Sequence, residues 1–436
     1  GQRNFGTPGL DRMAREGMVF SQFYSGSTVC APSRACLLTG QHTGHVYQRF
    51  NGQIQFREDD HDITIARLLK ERGYTTAMIG KSGLACRSED PLLPKKKGFD
   101  YFYGFLGHRA AHRYYPQKLW DNGTAVSFEN NQGKEGDVYS GEVFLQQSLG
   151  WIEANQAGPF FLHVSLQQPH ADLAAPAEFR DRHLDRFAEK PHPDGQHYRA
   201  ESHPKATFVG MVQYLDHSVG QILDKLVELG IDGNTYVFFS SDNGPHFEGG
   251  ANPDYFDSNG PLRGGKRDLY EGGIRVPFAV WAPGHVAAGS RSDHVGAFWD
   301  FPATACELAG RPLGEETDGI SLVPTLLGNG PQAKHDYLYW EFYERGGKQA
   351  VRMGEWKAIR LKVNDNPDNP LELFDLSKDI GETENVADRH ADVIAQMEMI
   401  MKTARTPHPD KPFGHEMQSS KSKKKRGSKN NKQRSR

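Results

Sequence analysis

A chain of 436 residues, 37% of them aliphatic or aromatic, is long enough for one large core plus a smaller unit and too apolar for general disorder. Its net charge of -3 is uneven, because residues 417–436 hold nine Lys or Arg and no acidic side chain, which leaves -12 on the rest. The run Lys423-Lys424-Lys425-Arg426 reads as a solvated basic extension, with no nucleic-acid role. The four scattered cysteines (30, 36, 86 and 306) exclude a disulfide framework or a thiolate zinc site, and no apolar run is long enough for a membrane span.

In chain order, Pro32 suits the first turn of a helix that opens at Cys30. Four short apolar runs then end in chemically capable residues. Residues 75–79 lead into Gly80-Lys81, 160–166 toward Pro169-His170, 236–240 into Asp242-Asn243, and 276–281 into Pro283-Gly284. That is how a doubly wound α/β sheet presents a site at the carboxyl ends of its strands. Met211, Val212, Leu215, Val219, Ile222, Leu223, Leu226 and Val227 form one face of a helix closed by Gly230, with His217 off the stripe and on the surface. After about residue 325 the texture changes to short aromatic-rich runs (337–343, 349–353, 356–361 and 371–376) and a final helix, which predicts a small antiparallel sheet with a covering helix. The expected units are 1–325, 326–415 and a basic tail, 416–436.

A residue at position 30 sits where free backbone N–H groups and the helix dipole favour an anion. Arg34, one turn on, is placed to steady it. The run Cys30-Ala31-Pro32-Ser33-Arg34, followed by Ala35-Cys36-Leu37-Leu38-Thr39-Gly40, resembles the signature of the formylglycine-dependent sulfatases, of the arylsulfatase-like carbohydrate-sulfatase branch. The resemblance runs from Thr7-Pro8-Gly9-Leu10-Asp11-Arg12 to Glu372-Leu373-Phe374-Asp375-Leu376. It implies an alkaline-phosphatase-like fold and hydrolysis of sulfate monoesters, exo-acting on a sulfated carbohydrate, with aryl sulfates as simpler substrates. It also implies that a formylglycine-generating enzyme oxidises Cys30 to an aldehyde. The hydrated aldehyde would attack sulfur with one hydroxyl, and the other would help expel sulfate as the carbonyl re-forms.

The same resemblance implies catalytic roles for Arg34, Lys81, His170 and Lys266, with Lys81 and Lys266 on the sulfate and His170 able to protonate the departing alcohol. Ser240-Ser241-Asp242-Asn243-Gly244 resembles the segment that gives a carboxylate and an amide oxygen to a divalent metal. Cys30, once modified, Asp242 and Asn243 are therefore the expected ligands, and calcium is preferred to magnesium. His108, Arg109, His112, His246 and Arg263 lie beside these loops and are candidates to read a sugar.

Two departures stand out. Many sulfatases carry a second catalytic histidine where this chain has Gly83, so His108, His112 or a water is the expected substitute. Family members also begin with a strand ending in paired aspartates, which falls just before Gly1 and is expected to be missing here, together with its place in the sheet. Two alternatives stay open: a phosphatase or phosphonate hydrolase on the same fold, and a non-catalytic binder of sulfated glycans. The implied address is periplasmic or extracellular, with no leader in this stretch of sequence to carry it.

Overall fold

The computed structural model describes residues 2–417 apart from 52–55, 58–61, 83, 85–89, 91, 196–197 and 315–316. Gly83, Cys86 and the basic tail from 418 lie outside the described residues. The chain is a mixed α/β structure with a separate small antiparallel sheet.

The strands of the larger part are β1 (Met18–Tyr24), β2 (Thr75–Lys81), β3 (Tyr101–Phe105), β4 (Lys118–Asp121), β5 (Thr124–Ser127), β6 (Phe160–Ser165), β7 (Val237–Ser240), β8 (Phe278–Trp281) and β9 (Ser290–Ala297). They form two sheets, in the orders β5-β4-β3-β2-β6 and β7-β8-β1-β9. β2 runs parallel to both β3 and β6, which brings three carboxyl ends to one edge. Gly80 (φ 114°) lets these backbones close up, since a Cβ there would lie 2.2 Å from Ser165 O. The amphipathic helix is Pro204–Glu228, and His217 is exposed on it as expected.

β6 pairs with β2 and β7 with β8, and no ladder joins β6 to β7. A cavity of about 1220 Å³ lies between them, lined by residues 160–166 of one sheet and 235–241 of the other. The mixed sheet anticipated from sequence is thus present in two parts. Phe160, Phe161, Leu162, Val237 and Phe239 are only partly buried, although their composition suits the inside of a sheet.

The small sheet, β10 (Leu338–Phe342), β11 (Lys348–Met353), β12 (Trp356–Leu361) and β13 (Glu372–Asp375), is antiparallel throughout and is covered by the helix Ala391–Thr403. One core cluster joins its Trp340, Phe342, Ile359 and Phe374 to Tyr24, Val29, Ala31, Ala35 and Cys36, so this sheet packs directly beneath the helix that opens at Cys30. Lys357, fully buried, pairs with Glu271 (2.8 Å) and Glu382 (3.0 Å) at the same junction. Burial alone would raise the Glu271 carboxyl, but Lys357 and Arg352 hold it down at about 2.

Candidate active site

Cys30 is the first residue of the helix Cys30–Thr39, after Val29 in extended conformation, and its side chain is buried. Gly40 (φ 71°) ends the helix with its N–H on Cys36 O. A helix start stabilises a nearby anion by about 0.3–1 kcal/mol, and more when desolvated. Burial would push the Cys30 thiol up, but Lys266, Lys81 and the hydrogen bond from His108 carry it well below its ordinary value. The site is built to hold negative charge at position 30.

Arg34 occupies the next turn. Its Nε donates to Asp242 Oδ2 (2.8 Å), and its Nη1 donates to Lys81 O (3.2 Å) and to Ser165 Oγ. Ser165 Oγ in turn donates to Lys81 O (2.7 Å). One guanidinium therefore ties the ends of β2 and β6 to the loop after β7, across the cavity that separates the two sheets.

Lys81 and Lys266 are 3% and 6% exposed. Burial, with the Arg34 and Lys266 charges close by, lowers the Lys81 ammonium below its usual range in spite of Cys30 and Asp242. Lys266 is placed by its N–H on Pro245 O (2.9 Å), which docks its loop on the turn after Asn243. Its Nζ donates to His170 Nε2 (2.9 Å), while His170 Nδ1–H donates to Ala171 O. Burial and the two lysines hold His170 well below the normal imidazole value.

Four imidazoles line this side of the site. His112 stacks on His170 at 4.4 Å, His170 on His246 at 5.5 Å, and the His108 edge meets His112 at 5.7 Å. Burial, then Lys81, takes His112 down to about 3 and lowers His108. His108 Nδ1 and His112 Nε2 are buried and have no protein partner among the described residues, so both remain available to a bound group.

Two of the candidate sugar contacts are engaged within the protein. His246 is 7% exposed, and both its nitrogens are occupied: Nε2 donates to Pro169 O (2.9 Å) and Nδ1 accepts from Glu248 N–H (3.2 Å). Both contacts fix the turn that carries it. The guanidinium of Arg263 lies over Tyr270 at 3.9 Å and donates to Glu382 O (2.7 Å), which commits it to the junction with the small sheet. Glu248, absent from the sequence-based set, lies 3.7 Å from Lys266 and also pairs with Arg267. Its place two residues beyond His246, in a run leaving the Asp242-Asn243 turn, was the available signal.

The donors after β7 fit a hard divalent cation. Asn243 Nδ2 turns away to Gly244 O (2.8 Å), leaving Asn243 Oδ1 buried and unpartnered beside the Asp242 carboxylate. The grouping His42, His45 and Asp318 also has ligand atoms within 4.8 Å of one another. However, His42 Nδ1 accepts Gly44 N–H (3.0 Å), which leaves the proton on Nε2 and no lone pair there for a metal.

Fold and site together define an α/β protein that presents an anion-stabilising helix start, two buried lysines and an oxygen-donor pair at converging strand ends. The sulfatase family model matches residues 1–311, and the model for the C-terminal part of N-sulphoglucosamine sulphohydrolase matches 264–407. The chain belongs to the sulfatase family. It is 33% identical over 379 residues to the N-acetylgalactosamine-6-sulfatase of Mus musculus, covering 81% of this chain and 66% of that relative. It is 31% identical over 420 residues to the arylsulfatase A of Homo sapiens, covering 87% and 78%. The solved structure of Ps i-CgsB in complex with k-i-k-neocarrahexaose superposes with a TM-score of 0.77 at 28% identity, covering 95% of this chain and 90% of that one. The chain spans about two thirds of the length of the N-acetylgalactosamine-6-sulfatases it matches. No helix among the described residues is long and apolar enough to cross a membrane.

Proposed function

We propose that this chain is the catalytic body of a sulfatase that hydrolyses sulfate monoesters, with a sulfated carbohydrate as the natural substrate class and an extracellular or periplasmic place of action. The observation that carries the reading is the convergence of two buried lysines on the side chain at position 30, at the start of a helix. The names of the relatives, among them an N-acetylgalactosamine-6-sulfatase, support the substrate class.

In the mature site the Cys30 sulfur stands in for an oxygen of hydrated formylglycine, installed by a formylglycine-generating enzyme. That group supplies an oxygen nucleophile for sulfur and a second hydroxyl whose deprotonation lets the carbonyl re-form as sulfate leaves. Lys81 and Lys266 neutralise the sulfate oxygens in a water-poor pocket, where fixed charge acts most strongly. Lys266, held on His170 Nε2, is also positioned to give a proton to the departing alcohol oxygen. Asp242 and Asn243 would hold a divalent cation, calcium by the hardness of the donors, which would supply further positive charge to the site.

The cavity between β6 and β7 supports a further part of this reading. A strand outside these 436 residues would seat there, pair with both edges, and bring additional carboxylates toward Asp242 and Asn243.

The decisive experiment is peptide mass spectrometry at Cys30 after co-expression with a formylglycine-generating enzyme, with hydrolysis of 4-methylumbelliferyl sulfate as readout. It is run on the chain as it stands and on a form extended by a strand bearing paired aspartates. Conversion of Cys30 with hydrolysis by the extended form is the expected result. A converted Cys30 with no sulfate release from either form rejects the proposal.

A further inference from the structure

A second cavity, of about 750 Å³, lies on the outer side of the turn that carries His108 and His112. Two stretches of chain lie beside both this cavity and the histidines of the catalytic pocket. In 107–113, Ala111 lines the catalytic cavity while Gly107, Ala110 and Arg113 line the second one. In the other stretch, the Tyr198 ring lies 6.4 Å from His112, and the next residue, Arg199, lines the second cavity.

Its walls differ from those of the slot between the sheets. Arg113, Lys118 and Arg199 bring three cations against one carboxylate, Glu129, and Trp120 and Gln132 supply an aromatic face and an amide. Arg113 is neutralised by the buried Asp172. Lys118 and Arg199 have no carboxylate partner among the described residues: Lys118 Nζ lies over the Trp120 ring at 4.8 Å, and Arg199 donates to the carbonyl of Gln132. The volume falls within the roughly 300–1,000 Å³ range of small-ligand sites. A half-exposed indole flanked by cations that are free of counter-charges and by amide groups suits a sugar ring with an acidic substituent.

We propose that this cavity is a distal subsite for an anionic sugar unit, sulfated or carboxylated, of the same glycan whose sulfate occupies the catalytic pocket. The proposal rests on the carbohydrate-sulfatase reading above and adds to it a specificity determinant outside the catalytic pocket.

The test is equilibrium binding by calorimetry of a tetrasaccharide-sized dextran sulfate fraction and of glucose 6-sulfate to the full chain, to Lys118→Glu and to the Lys118→Ala/Arg199→Ala double variant. Lys118 is exposed, so its charge reversal leaves the fold intact and keeps the outcome readable if the double variant is unstable. The wild-type chain is expected to bind the tetrasaccharide more tightly than the monosaccharide. Lys118→Glu should lower tetrasaccharide affinity about tenfold, the scale of one charge-assisted hydrogen bond, and leave glucose 6-sulfate unchanged. Equal tetrasaccharide affinity in wild type and Lys118→Glu, or no binding by the wild type, overturns the subsite. Hydrolysis of 4-methylumbelliferyl sulfate is followed separately in the strand-extended form with Cys30 converted: its absence there counts against the sulfatase reading, whereas its persistence in Lys118→Glu of that form, beside weakened tetrasaccharide binding, supports both.

Discussion

Lys266 Nζ donates to His170 Nε2 at 2.9 Å, and the other nitrogen of the same ring donates to a backbone carbonyl, so the imidazole is neutral and the mobile proton belongs to the lysine. On this geometry Lys266 is the proposed acid, with His170 holding it in place. Lys266→Ala is expected to slow turnover about 10²–10⁴-fold on aryl sulfates with strongly basic leaving phenols and far less on those with acidic phenols, which depart without a proton. The check is a plot of log kcat against phenol pKa for both enzymes. Parallel lines would remove Lys266 from proton transfer.

Before maturation, the charge arrangement around Cys30 has a spectroscopic consequence. With its thiol held well below the ordinary value by Lys266, Lys81 and His108 against the effect of burial, the unconverted chain should form the Cys30 thiolate, read by its ultraviolet absorbance, at a lower pH than a free cysteine does, and Cys30→Ser should abolish the signal. Lys81→Met is expected to move that titration upward. An identical curve in the variant would mean that Lys81 does not act on position 30.

Metal binding should follow the oxygen donors after β7. Asp242→Asn and Asn243→Leu are each expected to weaken calcium binding at least tenfold by calorimetry. Asn243→Leu should do so with little loss of stability, because Asn243 Oδ1 has no protein partner to lose. A chelator should reduce aryl sulfate turnover, and calcium should restore it better than magnesium.

Strand existence was legible where one run is buried on both sides, as in β2 and β8, because a continuous apolar segment has few other readings. β1 and β9 were not read. Ser21 and Gln22 interrupt β1, and β9, with Ser290, Arg291, Ser292, Asp293 and His294, is an edge strand with a half-wet face whose polarity resembles a loop. Residues at strand ends were legible through their motif, and Cys30, Arg34, Lys81, His170, Lys266, Asp242 and Asn243 do come together. What was not legible for His246 and Arg263 was where their nitrogens point. That is decided by Pro169 O, Glu248 N and Glu382 O, two of them far away in sequence.

Stability should turn on Lys357. Replacing it with Met leaves Glu271 and Glu382 buried without their cation, a loss of about 3–5 kcal/mol for a broken buried pair, seen as a large fall in Tm. The acid limb has a defined sign. Glu271, held at about 2 against an ordinary 4.5, contributes stability that is complete above 4.5 and is lost as pH falls through 2. Glu382, pushed up by its burial, contributes in the opposite sense, so Glu271→Gln is the variant that isolates the first effect. It should start lower in Tm at neutral pH and decline less steeply below 4.5. Equal slopes in the two proteins would exclude the assignment.

The column of stacked imidazoles bears on more than catalysis. Burial and the neighbouring lysines push His108, His112, His170 and His246 below the ordinary imidazole value, His112 to about 3, so each gains charge less readily than a free imidazole as the surroundings acidify. The attraction for a sulfate ester then rests chiefly on Arg34, Lys81 and Lys266, with the divalent cation that Asp242 and Asn243 would hold. A protein so arranged draws its pull on a sulfate ester mainly from its fixed cations and less from imidazoles that would gain charge as the surroundings acidify.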